Sequence, residues 1–138
     1  MAQTELKRES LFKFDKSFTT FSVKDVAEAK KFYSEKLGIS VRDEKEGGFS
    51  LDLGGRSVYL YPKRDHSPAT FTVLNIPVTD IDAAVDELRS RGITFETYGG
   101  DIATDEKGIF RGGEKGNGPN IAWFKDPAGN ILSLIEEK

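Results

Sequence analysis

Few side chains in this sequence of 138 residues could hold a metal ion or act as a nucleophile. The chain has no cysteine and a single histidine, His66. Disulfides, thiolate metal sites and any site within one chain that needs two histidines are therefore excluded. His66 follows Asp65 in a polar segment that ends at Pro68, where we interpret it as a solvated linker residue. Tyr59 and Tyr61 are the candidates for a proton donor.

Charged residues late in the chain offer weaker possibilities. Asp101, Asp105 and Glu106 could bind a cation in principle, but their spacing matches no known ion-binding loop. Arg111 and Lys125 could steer an anionic ligand, although surface charge is the commoner role of such residues.

The composition is that of one ordinary globular domain spanning residues 1–138, because 37% hydrophobic and 31% charged residues are near average values. The net charge of −3 gives no basic footprint for nucleic acid. No apolar run approaches the roughly 20 residues of a membrane span, and none after Met1 resembles a signal peptide. We therefore expect a cytoplasmic protein with a mobile N-terminal extension at residues 1–16, which settles against the body around Leu11.

The first half of the chain has the order β-α-β-β-β. A strand is predicted at Ser17–Val23, and Asp25 then caps a helix that ends at Gly38. One face of this helix is apolar and carries Val26, Ala29, Phe32, Tyr33 and Leu37. Three short strands follow at Ile39–Asp43, Phe49–Leu53 and Ser57–Tyr61.

The second half repeats this order. The pattern predicts a strand at Ala69–Ile76, a helix capped by Asp80, a strand at Ile93–Tyr98 and a hairpin within Ile121–Ile135. Residues 99–120 between them are predicted to form a long loop, of the kind that is usually functional or mobile. Val23, Asp25, Val26 and Ala29 recur as Val78, Asp80, Ile81 and Ala84, and Asp52 and Gly55 recur as Asp126 and Gly129. The chain is therefore interpreted as two modules, at about residues 17–62 and 69–136.

Two motifs carry a family resemblance. Phe32-Tyr33-x-x-x-Leu37-Gly38, after Val23-Lys24-Asp25, and the hairpin turn Asp126-Pro127-Ala128-Gly129-Asn130 both resemble signatures of the glyoxalase / bleomycin resistance / dioxygenase superfamily, also called the vicinal oxygen chelate superfamily. The resemblance covers about residues 17–136. It implies an α+β fold in which two βαβββ modules form a cupped, mixed sheet rich in antiparallel strands, and it implies a homodimer with two equivalent cups.

The resemblance also implies where a metal would bind. Family members that use metal take one ligand from each of four strands, and the matching positions here are Phe18, Tyr59, Val73 and Ser133. Oxygen- and nitrogen-rich metal sites need carboxylates or imidazoles, which none of these four side chains provides. A slip of two residues along the strands brings in no histidine or glutamate. We therefore expect neither a metal ion nor another cofactor.

A ligand-binding surface can be predicted from strand alternation. The helix of each module packs on one face of its sheet, and we call the opposite face the cup face. If Asp126–Gly129 is a four-residue turn, Phe124 pairs with Ile131 and faces the cup while Trp123 enters the core; a bulge would exchange them. The predicted ligand-binding residues are Phe18, Thr20, Ser22, Tyr59, Tyr61, Val73, Asn75, Phe124 and Ser133.

A mostly aromatic pocket with few polar groups is the usual form of a small-molecule site. The resemblance to the metal-free bleomycin-resistance branch favours a protein that sequesters a drug or metabolite without modifying it, with an organic ligand whose identity stays open. Two alternatives remain. One is a lyase or dioxygenase-like enzyme with a non-standard site, and the other is a structural or regulatory partner whose cup is closed.

Overall fold

The structure is a computed structural model that describes residues 11–116 and 118–137. Residues 1–10 of the predicted extension lie outside the described residues, and a short 3-10 turn occupies Phe14–Lys16. The helices are α1 (Val26–Lys31, continued by a π-helical turn at Phe32–Lys36), α2 (Ile81–Ser90) and α3 (Gly112–Lys115). The strands are β1 (Thr19–Val23), β2 (Ser40–Asp43), β3 (Phe49–Asp52), β4 (Ser57–Pro62), β5 (Thr72–Val78), β6 (Ile109–Arg111), β7 (Asn120–Lys125) and β8 (Ile131–Glu136).

These strands form two four-stranded sheets with the same connectivity. The strand order is β1-β4-β3-β2 in the first sheet and β5-β8-β7-β6 in the second. In each sheet the first and last strands of the module pair in parallel, and the other pairs are antiparallel. The predicted α+β fold of two βαβββ modules is confirmed.

The two main helices begin at the residues that the sequence predicts. Asp25 accepts a hydrogen bond from the backbone N–H of Glu28 at 3.0 Å, and Asp80 accepts one from the N–H of Ala83 at 3.1 Å. Each carboxylate satisfies a donor that the first helical turn would otherwise leave unpaired. Among the described residues, no helix is both long enough and apolar enough to cross a membrane.

The helix of module one contacts both modules. A π-helical turn continues α1 from Phe32, and the consecutive residues Phe32 and Tyr33 of its apolar face are both buried. The Tyr33 ring lies 6.4 Å from Phe21 and 6.2 Å from Phe49 in the first sheet. The Phe32 ring lies 6.4 Å from Phe124 in the second.

The two sheets therefore share one hydrophobic core. Its members come from both modules and include Val23, Leu60, Val85 and Leu134. Because the helix-side faces of both sheets line this common core, the two cup faces point away from it. A single chain consequently presents two outward cup faces.

The second strand of module two is not where the sequence predicts it. Ile93–Tyr98 contains only an isolated bridge, between Phe95 and Phe124, and the predicted strand there is wrong. The strand is instead β6, inside the segment 99–120 that was predicted to be a loop. The Asp105 carboxylate accepts the backbone N–H groups of Lys107 and Ile109, both at 2.9 Å, and so forms the turn that starts β6.

Candidate functional site

The cup face of module one carries two stacked tyrosines. Thr20 and Ser22 alternate along β1 with core residues and lie beside Tyr59 and Tyr61 of β4. The two tyrosine rings are 6.2 Å apart and inclined by only 18°. Both rings are partly exposed, as is Ser22, and Thr20 is exposed. These four predicted residues therefore lie together on one open surface.

The cup face of module two is centred on Ser133 of β8. Ser133 lies between Asn75 of β5 and Trp123 of β7 in the sheet register. Its side chain is fully buried, and its hydroxyl donates a 2.6 Å hydrogen bond to Oδ1 of Asn75. Because Asn75 is exposed and its carbonyl oxygen is already used, its amide N–H groups remain available at the surface.

Trp123 lies on the cup face, opposite Ser133, and not in the core where the sequence placed it. The hairpin loop spans five residues, because Asp126 N–H donates to Asn130 O at 2.9 Å and Lys125 pairs with Ile131. Relative to the predicted four-residue turn, the register shifts by one residue, which exchanges the two faces of β7. Phe124 is consequently fully buried in the core, so its predicted place in the cup is wrong.

An aromatic cluster surrounds Trp123. The Tyr98 ring lies edge-on at 5.3 Å, the Phe110 ring lies at 6.3 Å, and Lys115 Nζ stands 5.9 Å from the centre of the Phe110 ring. Neither Tyr98 nor Phe110 was predicted as a site residue: Tyr98 ended the strand predicted at Ile93–Tyr98, to which no cup face was assigned, and Phe110 fell in the predicted loop 99–120. A five-residue interpretation of the Asp-Pro-Ala-Gly-Asn loop would have moved Trp123 to this face.

Two predicted residues stand outside these strand pairings. Phe18 precedes β1, is 61% exposed, and lines a cleft of about 710 Å³ between the start of β1 and the edge of β5, which Asn75 also lines. Val73 sits where the register between β5 and β8 shifts, so it has no partner residue in β8. The residues that stand beside Tyr59 and Ser133 are Thr20 and Asn75 instead.

The hairpin turn is held by a buried carboxylate. Asp126 Oδ1 accepts hydrogen bonds from the backbone N–H groups of Ala128 and Asn130. Asp126 Oδ2 accepts one from the Tyr33 hydroxyl at 2.7 Å and one from the Asn130 side-chain amide at 2.9 Å. Burial, together with the charge of Asp126, raises the pKa of Tyr33 well above its usual range, so the phenol keeps its proton. The Asn130 amide also reaches the carbonyl of Ser22 at 2.9 Å. This network fixes the turn that places Trp123 and its neighbours.

His66 is not the solvated linker residue that the sequence suggested. Its Nδ1 lies 2.6 Å from Ser22 Oγ, and its Nε2 lies 2.9 Å from the Ala128 carbonyl oxygen. The imidazole thus connects the inter-module segment to β1 and to the hairpin of module two. No signal in the sequence indicated these partners, because both lie far from His66 along the chain.

A charged network ties the segment after α2 to that helix. Arg111 makes a two-pronged contact with Asp82, at 2.8 and 2.9 Å, and its Nε donates to Asp105 at 2.9 Å. Hydrogen bonds from Arg111 and then Lys107 lower the pKa of Asp82 far below its usual range. Burial acts to raise the pKa of Asp105. The pKa is nevertheless lowered, because hydrogen bonds from the Ile109 N–H, Arg111 and the Lys107 N–H stabilise the charged carboxylate more strongly. Asp105 and Arg111 are therefore engaged with each other.

The residues present do not fit the metal that the fold family uses. The four ligand positions carry aromatic, aliphatic and hydroxyl side chains, and the neighbours Thr20 and Asn75 add no carboxylate or imidazole. In the described part of the chain, no group of three or more His, Cys, Asp or Glu side chains could hold an ion.

Comparison with known proteins agrees with this architecture. The structure is similar to a glyoxalase family protein from Enterococcus faecalis, with 23% identity, a TM-score of 0.62, and coverage of 91% of this chain and 99% of that one. It is similar to TnmS3, an antibiotic binding protein from Streptomyces sp. CB03234, with 22% identity, a TM-score of 0.60, and coverage of 88% of this chain and 96% of that one. It is also similar to a virulence protein from Salmonella typhimurium, with 23% identity, a TM-score of 0.60, and coverage of 88% of this chain and 95% of that one.

The paired βαβββ modules define the class of protein. Residues 17–134 match the model of the Glyoxalase/Bleomycin resistance protein/Dioxygenase superfamily, and the chain belongs to this superfamily. No curated protein sequence matches the chain.

Proposed function

We propose that this protein binds a small organic molecule with a planar aromatic part, and that it does so without a metal ion. The observation that carries the proposal is the position of the partly exposed Trp123 ring on the cup face of module two, between the partly exposed Tyr98 and the buried Phe110. An aromatic ring that stacks on such a surface gains about 0.5–1.5 kcal/mol beyond the area that it buries. The ligand is held by contact and hydrogen bonding, with no bond made or broken.

Two polar residues follow Trp123 across the sheet, Ser133 on β8 and then Asn75 on β5, and they give the surface a preferred ligand orientation. The Ser133 hydroxyl fixes the Asn75 amide by donating to its oxygen, so the amide nitrogen is left to donate to a ligand carbonyl or hydroxyl. A mainly apolar surface with one oriented donor is typical of small-molecule sites. The similarity to an antibiotic binding protein supports a drug-like or metabolite-like ligand.

We further propose that the complete cup forms between two copies of the chain. Within one chain the cup faces point away from a common core, so the stacked Tyr59 and Tyr61 cannot lie opposite Trp123. Pockets usually bury most of the surface of a drug-sized ligand, which one open sheet face does not achieve. A homodimer that places module one of one copy opposite module two of the other supplies both walls.

Trp123 is the sole tryptophan of the chain, so its fluorescence reports directly on this surface. A water-soluble sulfonated anthraquinone is a suitable planar probe. We expect saturable quenching of Trp123 by the probe. Asn75→Ala should weaken binding about tenfold, the equivalent of about 1.4 kcal/mol for a lost hydrogen bond. Phe12→Ala, at an exposed phenylalanine before β1, is the matched control and should leave affinity unchanged. Quenching that stays linear in probe concentration would reject the proposed site.

Mixing two variants tests whether the cup is built across chains. Trp123→Ala removes one wall and Tyr61→Ala the other, and calorimetry should show that each variant alone binds the anthraquinone weakly. If the walls come from different copies, a mixed dimer contains one intact cup and part of the binding returns. If both walls belonged to one chain, every chain would be defective and no binding would return.

A further inference from the structure

A serine and a histidine make a short contact at the end of β1, in module one and apart from the Trp123 cluster. Ser22 Oγ lies 2.6 Å from His66 Nδ1, and His66 Nε2 lies 2.9 Å from the backbone carbonyl oxygen of Ala128. The pair joins β1 to the segment between the modules. The hairpin of module two holds the other side of the imidazole.

The partners determine which ring nitrogen carries the proton. A carbonyl oxygen can only accept a hydrogen bond, so His66 Nε2 must be the protonated nitrogen of the neutral ring. His66 Nδ1 is then an acceptor, and the Ser22 hydroxyl donates to it. A hydroxyl that donates to a neutral imidazole, itself oriented by a third group, is the arrangement of an activated nucleophile.

We propose that Ser22 is an activated nucleophile that accepts acyl or phosphonyl groups from reagents with a good leaving group. Ser22 Oγ attacks the electrophilic carbon or phosphorus, and its proton passes to His66 Nδ1. The new Oγ–C or Oγ–P bond replaces the bond to the leaving group, which departs with its electron pair. The proton then passes from His66 to the leaving group or to water.

The surroundings leave room for this reaction. Ser22 and His66 are both only partly buried. Ser22 lies on the outward cup face beside Tyr61, and Thr20, two residues earlier on the same face, is exposed. Asn130 donates to the Ser22 carbonyl at 2.9 Å, which holds the backbone of the nucleophile in place. This chemistry uses none of the groups around Trp123, so it stands or falls separately from the proposed ligand binding.

An alkyl fluorophosphonate tests the proposal on the intact protein. In this reagent the P–F bond breaks as the Oγ–P bond forms, and fluoride leaves. We expect one phosphonyl group per chain by intact mass, mapped to Ser22 by peptide sequencing. Ser57 serves as the internal control because it is an exposed serine on the neighbouring strand with no histidine contact among the described residues. It should stay unmodified.

His66→Gln separates a general base from a structural contact. Glutamine can still donate to the Ala128 carbonyl, but it has no basic nitrogen. A general base typically contributes a factor of 10²–10⁴, so we expect the labelling rate of Ser22 to fall about 100-fold or more. Ser22→Ala should abolish the adduct. The proposal is overturned if Ser22 stays unlabelled at reagent concentrations that modify a known serine hydrolase, or if His66→Gln labels as fast as the unaltered protein.

Discussion

Replacing Tyr33 with phenylalanine removes one hydroxyl from the buried network that supports the hairpin turn. That hydroxyl donates a 2.7 Å hydrogen bond to Asp126 Oδ2, whose remaining donor is the Asn130 amide. Hydrogen bonds to charged groups contribute about 1.5–3 kcal/mol to stability, and phenylalanine cannot donate one to Asp126. We therefore expect Tyr33→Phe to lower the free energy of unfolding by about 2 kcal/mol. For a domain of this size, the Tm should fall by roughly 6–10 °C.

Urea titration followed by Trp123 fluorescence measures this effect. The midpoint should fall while the dependence of the free energy on urea stays unchanged, since the surface exposed on unfolding is the same. Tyr61→Phe is the matched control, because that hydroxyl lies on the partly exposed cup face, and it should change stability by less than about 0.5 kcal/mol. A loss below about 0.5 kcal/mol in Tyr33→Phe would refute the role assigned to the Tyr33–Asp126 bond.

Two further substitutions test the segment around β6. Arg111→Leu should lower the free energy of unfolding by about 1–2 kcal/mol, after allowance for the partial exposure of its partners Asp82 and Asp105. Folding lowers the pKa of both carboxyls, so their contribution to the free energy of unfolding is present above the ordinary carboxyl pKa and is lost as the pH falls. Urea titrations should therefore show that the free energies of unfolding of the variant and the parent converge in acid. Equal losses at neutral and acidic pH would contradict this. Gly108→Ala should cost about 1–3 kcal/mol in the same assay, because Gly108 has a φ of +85° and an added Cβ would lie 2.9 Å from the Cβ of Phe95; an unchanged midpoint would mean that the turn before β6 relaxes freely.

Features that depend on neighbouring residues could be predicted from the sequence. Asp25 and Asp80 cap the two main helices because a cap needs only the next three residues along the chain. The repeat of strand, cap and apolar helix face predicted both modules, and the motif at Asp126 indicated the superfamily. That no carboxylate or imidazole stands at the matched strand positions could also be read from the sequence, since it concerns residue types alone.

Tertiary structure decided the composition of the candidate site. One residue in the length of the 126–130 loop determined whether Trp123 or Phe124 faces the cup, because a register shift of one exchanges every side chain between the two faces of a strand. The short strand β6 pairs with β7, and its last residue, Arg111, contacts Asp82, which is 29 positions away. Such contacts carry no local pattern. The sequence by itself determined the duplicated scaffold, and long-range pairing determined which aromatic side chains that scaffold exposes.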